Sequence, residues 1–239
     1  MKAGIPITVA GLAGYVAYHC YSPTSQLYGR TLTHFADPRD LALTYDDGPN
    51  DVHTERLLEV LTRYDVKATF FLIGSFVAAR PQIARAIADA GHLLANHTAT
   101  HPNLLFLSRA KLRDELSDCS KAIADATGVA PRFFRPPFGA RRPAVLQVAR
   151  ELGLEPVMWS VICYDWVVRT TADAILNHAR RRIDRHRTNG HIVVMHDGGH
   201  TGLGQDRSQS VLATEQLIAR YRSDYSFRRL DEIRGRNRQ

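Results

Sequence analysis

From Asp40 onward, short apolar runs alternate with amphipathic stretches of helical length, and this rhythm constrains the fold more than any other feature of the chain. Residues 40–45 read as a strand that stops at Gly48-Pro49, because proline cannot continue a ladder. Thr54 then caps a helix over residues 55–64, where Leu57, Leu58 and Leu61 share a face. Further strands are expected at 67–73, 92–95, 132–134, 154–161, 191–195 and 225–227. Helices are expected at 81–90, 108–126, 143–152, 172–187 and 208–221, with Gly91, Gly128 and Gly153 just past three of their ends. Such alternation builds parallel βα units, and about seven of them point to a barrel rather than an open sheet.

In this layout each polar cluster falls just after a strand: Asp46-Asp47, His97 with His101, Arg135, Asp165 and His196. That is the C-terminal rim, where barrel enzymes carry their sites. Asp46-Asp47-Gly48-Pro49 by itself has the composition of a plain turn. The histidines change that reading. On one helical turn, His97 and His101 would present both imidazoles on one face, close enough to share a metal ion. A helical metalloprotease would carry a glutamate after the first histidine, and Thr98 stands there, so a base must come from elsewhere. Adjacent strand side chains point to opposite faces, but a chain turning at Gly48-Pro49 lets one carboxylate bind metal while its neighbour stays free. In Arg135-Pro136-Pro137-Phe138-Gly139 the prolines fix the backbone and can hold Arg135 beside a carboxylate. His196, at a strand end with an acidic partner, suits a general acid. His53, His178 and His200 are assigned no function. The sequon Asn96-His97-Thr98 is set aside, because a metal-ligand segment at a strand end is buried.

The 239 residues fit one domain with a terminal appendage. Cys20, Cys119 and Cys163 form neither a disulfide framework nor a zinc-finger spacing, and read as buried free thiols. The formal charge of +7 comes almost entirely from arginine, with part of the excess in the run Arg180 to Arg187 and part in the tail Arg228 to Arg238. Such runs usually solvate a surface, and no interleaved aromatics or helix-turn-helix spacing accompany them, so nucleic acid is not an expected partner. No charged residue lies between Lys2 and Arg30, and the apolar stretch 3–18 is slightly shorter than the roughly 20 residues of a spanning helix. Residues 1–26 are expected to be a signal peptide or membrane anchor, 27–227 the catalytic domain and 228–239 a basic tail. The catalytic part is then expected outside the cytoplasm, secreted or tethered to the membrane.

Taken in order, the five clusters resemble the polysaccharide deacetylases of the NodB-homology type, carbohydrate esterase family four, from about residue 40 to residue 221. The family's T-F-D-D-G-P stands as Thr44-Tyr45-Asp46-Asp47-Gly48-Pro49, and its H-[ST]-x-x-H-P as His97 to Pro102. Its R-P-P-[YFW]-G is Arg135 to Gly139, its D-W is Asp165-Trp166, and its apolar-x-H is Val194-Met195-His196. The resemblance implies an α/β fold, a distorted (β/α) barrel with about seven parallel strands in a single catalytic domain. It implies a divalent metal, usually zinc, with cobalt or another ion as alternatives, bound by Asp47, His97 and His101. Asp46 would be the general base oriented by Arg135, and His196 the general acid tethered by Asp165. The Phe138 N–H would help hold the oxyanion, and Pro137, Phe138 and Trp166 would contact the sugar. The implied reaction removes N-acetyl groups, as acetate, from an N-acetylglucosamine glycan: peptidoglycan, a chitin-type oligomer or an exopolysaccharide. A monomer whose partner is that glycan is expected.

Two departures stand out. The family often shows D-x-x-D-W, and here the first aspartate is replaced by Ile162, which bears on substrate grip and on the anchoring of Arg135. A polar loop, residues 200–206, follows His196-Asp197-Gly198-Gly199 and either covers the site or shapes specificity. Two other readings remain at this level: a non-catalytic glycan-binding homologue, and a non-heme iron enzyme, since two histidines and a carboxylate also form that triad.

Overall fold

The computed structural model describes residues 9–232. The first residues of the expected anchor and the end of the basic tail lie outside them. The strands are β1 (His34–Phe35), β2 (Asp40–Gly48), β3 (Thr69–Leu72), β4 (Leu93–Asn96), β5 (Phe133–Phe134), β6 (Glu155–Pro156), β7 (Val161–Ile162), β8 (Gly190–His196) and β9 (Ser226–Phe227). The helices are α1 (Val9–Tyr21), α2 (His53–Arg63), α3 (Gly74–Ala79), α4 (Pro81–Asp89), α5 (Arg109–Thr127), α6 (Pro143–Glu151), α7 (Ala172–Ile183) and α8 (Ser208–Tyr221).

One sheet runs β1-β8-β2-β3-β4-β5-β6, with β7 also on β8 and β9 also on β2. β1 lies antiparallel to β8, and the other pairings are parallel. The sheet curls into an incompletely closed barrel, with a single parallel bridge from Leu32 to Val157 beside β6. All nine residues of β2 are buried, as expected of a central parallel strand covered on both faces. Its side chains alternate: Leu41, Leu43 and Tyr45 pack into the layer beneath the helices. Ala42 packs inside the barrel with Phe71, Ala95, Phe133, Val157 and Ile192. By the same alternation Thr44 and Asp46 share the face of Ala42.

Most expected elements are present, with physical reasons for the differences. Ser108 caps α5 by accepting from Lys111 N at 3.3 Å, and Gly128 ends it in the left-handed region at φ 76°. Thr54 does not cap α2, which starts one residue before it; its hydroxyl is drawn away to the Asp197 carboxylate at 2.5 Å. The single strand expected over 154–161 divides into β6 and β7, as the chain leaves β5 and joins β8. The three cysteines are free and buried. No helix among the described residues is long and apolar enough to cross a membrane. The chain just after α1 is tied to the domain, with Arg141 donating to the carbonyls of Ser22 and Ser25.

Candidate active site

The strand register carries the polar clusters to one rim. Asp46 pairs with His196 across β2 and β8 and with Phe71 on β3; Leu72 pairs with Asn96, and Asn96 with Phe134. His97 and Arg135 are the residues immediately after those last pairs.

Asp46 and Asp47 should point to opposite faces. The register of β2 on β3 slips between Asp46 and Gly48, leaving Asp47 as the extra residue of a bulge with φ 69°. A bulge re-aims a side chain, so both carboxylates reach the rim. The turning point is therefore Asp47 itself rather than Gly48-Pro49. His97 and His101 converge by a different route from the expected helical turn. Residues 97–101 form a loop with Thr98 at φ 71° and His101 at φ 59°. Asn96, fully buried, pins that loop: its amide donates to Leu116 O at 2.7 Å and its oxygen accepts from Thr98 N at 2.8 Å. Phe138 is also left-handed, at φ 58°. Non-glycine residues held in this region cost on the order of 1–3 kcal/mol each and persist where the surroundings over-determine them.

The Asp47 carboxylate is ringed by imidazoles. Oδ1 lies 3.3 Å from His97 Nε2 and 3.2 Å from His101 Nε2. His97 Nδ1 lies 2.8 Å from the Arg135 carbonyl, which can only accept, so Nδ1 carries a proton and Nε2 is the ring nitrogen left to face Asp47. Asp47 Oδ1 is buried without a hydrogen bond. Acceptors that converge this way call for a cation between them, and this carboxylate–imidazole donor set fits a divalent metal. Burial alone would raise the Asp47 carboxyl, but His101, His200 and His97 outweigh it and hold the group well below the usual carboxylate range. Burial lowers His101 despite Asp47.

Asp46 stands beside this cluster with a partner of its own. Arg135 Nη1 donates to Asp46 Oδ1 at 2.6 Å and to Thr44 Oγ1 at 2.8 Å, and Nη2 donates to Met158 O at 3.2 Å. The guanidinium is fully buried, 4.0 Å above the Phe71 ring. The Met158 carbonyl answers how Arg135 is anchored with Ile162 in the chain. Burial pulls the Arg135 guanidinium down, and Asp46 offsets part of that.

On the opposite wall, His196 Nδ1 lies 2.8 Å from Asp165 Oδ1, and Asp165 Oδ2 accepts from His196 N and Ser210 Oγ, each at 2.7 Å. Burial, the largest single effect, disfavours the imidazolium, but the charge and hydrogen bond of Asp165, with the charges of Asp47 and Asp46, together outweigh it and lift His196 to about 9. Burial likewise opposes the Asp165 charge, and His196 overcomes it, lowering Asp165.

Asp46, Asp47, His97, His101 and His196 line one cavity of about 420 Å³, with Phe138, Trp166, Trp159, Ile162, Pro136 and Gly139 on its walls, while Arg135 and Asp165 are buried behind it. Pro137, expected at the sugar, is instead buried at the start of the turn that swings Phe138 outward; Pro136 takes the place on the wall. Residues given no role from the sequence also line it, among them His200, Thr201, Gln205, Arg207 and Trp159. His200 and Gln205 belong to the polar loop already singled out, which does reach the site. Trp159 lies in the break between β6 and β7, where a continuous strand had been expected.

A barrel with ionisable side chains gathered on its C-terminal rim, and two carboxylates held by different partners, is the arrangement of an enzyme site. The chain belongs to the polysaccharide deacetylase family, whose profile matches residues 35–157. Enzymes of this family hydrolyse the amide bond of N-acetyl groups. The chain is similar to a chitooligosaccharide deacetylase of Bradyrhizobium sp. (strain ANU 289), 40% identical over 187 residues that cover 75% of this chain and 83% of the relative. It superimposes on the Bc1960 peptidoglycan N-acetylglucosamine deacetylase with a TM-score of 0.76 at 30% identity, covering 85% of this chain and 91% of that one. BA3943, a CE4 family pseudoenzyme from Bacillus anthracis, gives a TM-score of 0.75 at 30% identity, covering 85% and 68%.

Proposed function

We propose that the protein removes N-acetyl groups from an N-acetylglucosamine glycan, releasing acetate, with a divalent metal held by Asp47, His97 and His101. The observation that carries this reading is a buried carboxylate ringed by imidazole nitrogens beside a second carboxylate, Asp46, that is paired elsewhere. When bound, such an ion polarises the acetamide carbonyl and lowers the pKa of water, and zinc suits these ligands.

The remaining work falls to side chains. Arg135 fixes one oxygen of Asp46, leaving the other to take the proton of the attacking water. The Phe138 N–H donates to the developing oxyanion. Asp165 holds His196 by Nδ1, so Nε2 protonates the departing amine. Phe138 and Trp166, each about half exposed, flank the sugar. The relatives named for chitooligosaccharide and peptidoglycan deacetylation support an N-acetylglucosamine glycan as the substrate. We further propose residues 27–227 as the catalytic domain, with residues 1–26 directing export or anchoring.

The pseudoenzyme neighbour means that family membership alone does not establish turnover. The two intact carboxylate pairs, Asp46–Arg135 and Asp165–His196, favour turnover here. Acetate release against chitin oligomers, peptidoglycan and acetylated exopolysaccharide, with metal content measured alongside, tests the reading. Release from at least one glycan is expected, lost on chelation and restored by zinc. A folded, zinc-loaded protein that binds these glycans without releasing acetate would refute it.

A further inference from the structure

The loop after β8 brings a further imidazole to Asp47. His200 Nδ1 stands 3.8 Å from Asp47 Oδ2, and its ring stacks on His101 with centroids 4.6 Å apart and 19° between planes. Phe138 meets the same ring edge-on at 5.4 Å. The ligand atoms of Asp47, His101 and His200 all lie within 4.8 Å of one another. At 3.8 Å the His200–Asp47 contact is too long for a hydrogen bond. It suits two ligands of one ion, since atoms bound at about 2.1 Å to the same metal sit roughly 3–4 Å apart.

The loop is fastened at both ends, which sets the position of the ring. Asn50 Nδ2 donates to Gln205 O at 2.9 Å, and Arg207 Nε donates to Gly198 O at 2.6 Å. Within the loop, Gly202 N donates to Gly199 O at 3.2 Å, and the Gln205 amide donates to Thr201 Oγ1.

We propose, on the strength of the metal-site reading above, that His200 is an additional, exchangeable ligand of the ion held by Asp47, His97 and His101. The His200 side chain is 44% exposed, so the ring borders both the site and solvent. A zinc ion with four protein ligands is closed, whereas catalysis needs an open position or an expanded shell. The loop therefore sets metal retention against access for the acetamide oxygen, and His200 yields its place when the glycan enters.

The test is metal binding, independent of turnover. Cobalt(II) absorption and competition with a chromophoric chelator are measured on the wild type, His97→Ala, His200→Ala and His200→Phe. His200→Phe keeps a ring to stack on His101 but removes the nitrogens. The expected result is a cobalt affinity about tenfold or more weaker in both His200 variants, with a changed visible band. An unchanged affinity and spectrum in both would overturn the inference while leaving the Asp47–His97–His101 site standing. Weakening in His200→Ala alone, with His200→Phe like the wild type, would reduce the effect to packing and also overturn it. Absence of binding by the wild type would overturn the metal-site reading, and this inference with it.

Discussion

At the scale of the residue, the two neighbouring aspartates differ because their partners differ. Asp47 faces imidazoles, whereas Asp46 faces a guanidinium that the barrel interior buries completely. Asp46→Asn is expected to lower acetate release by about 10²–10⁴-fold while metal remains bound. Normal turnover, or loss of the metal, in that variant would contradict the assignment. His196 offers a pH test. Its folded value of about 9 lies above the ordinary 6.5, so its stabilising contribution is complete below about pH 6.5 and is lost as pH rises through about 9. As the proposed acid, it should also set the alkaline limb of activity. Asp165→Asn removes the strongest of the charges that lift it and leaves burial opposed only by Asp47 and Asp46, so the limb should move to lower pH. A pH–rate profile with an unmoved limb would exclude His196 as the titrating acid.

At the scale of the element, the site depends on strand ends that approach closely. The Asp47 bulge and the end of β8 meet where a Cβ on Gly198 would stand 2.1 Å from the Asp47 carbonyl oxygen. Backbone cannot give way there as a flexible side chain can. Gly198→Ala is expected to cost about 1–3 kcal/mol in a denaturant melt and to weaken metal binding by displacing Asp47. Gly202→Ala, with nothing within 4 Å of the added methyl, is the matched control and should stay within about 0.5 kcal/mol of the parent. Equal melts for the two variants would show that this approach is not tight.

At the scale of the molecule, Asp47 from β2 and the histidines after β4 are tied together by any shared ion. Binding to the folded state alone stabilises by about 2.7 kcal/mol at a hundredfold excess of metal over Kd. Chelation should therefore lower the thermal midpoint, and zinc should restore it; a midpoint indifferent to both would argue against an ion at this site. Much of the barrel was legible beforehand, because hydrophobic rhythm, Ser108 and the glycines past helix ends are local signals. The site was legible as a set of residue types in order along the chain. That order pointed to the family, and it carried Asp46, Asp47, Arg135, Asp165 and His196 correctly to one rim. Tertiary structure alone decided how they meet. The Asp47 bulge arises from register against β3, the His97–His101 loop from left-handed backbone pinned by Asn96, and the anchoring of Arg135 from a carbonyl on a distant segment. The approach of His200 depends on loop contacts with Asn50 and Arg207. None of these has a local signature, because each is set by a partner far away in the chain, and pairing energies of that kind exist only once the strands are side by side.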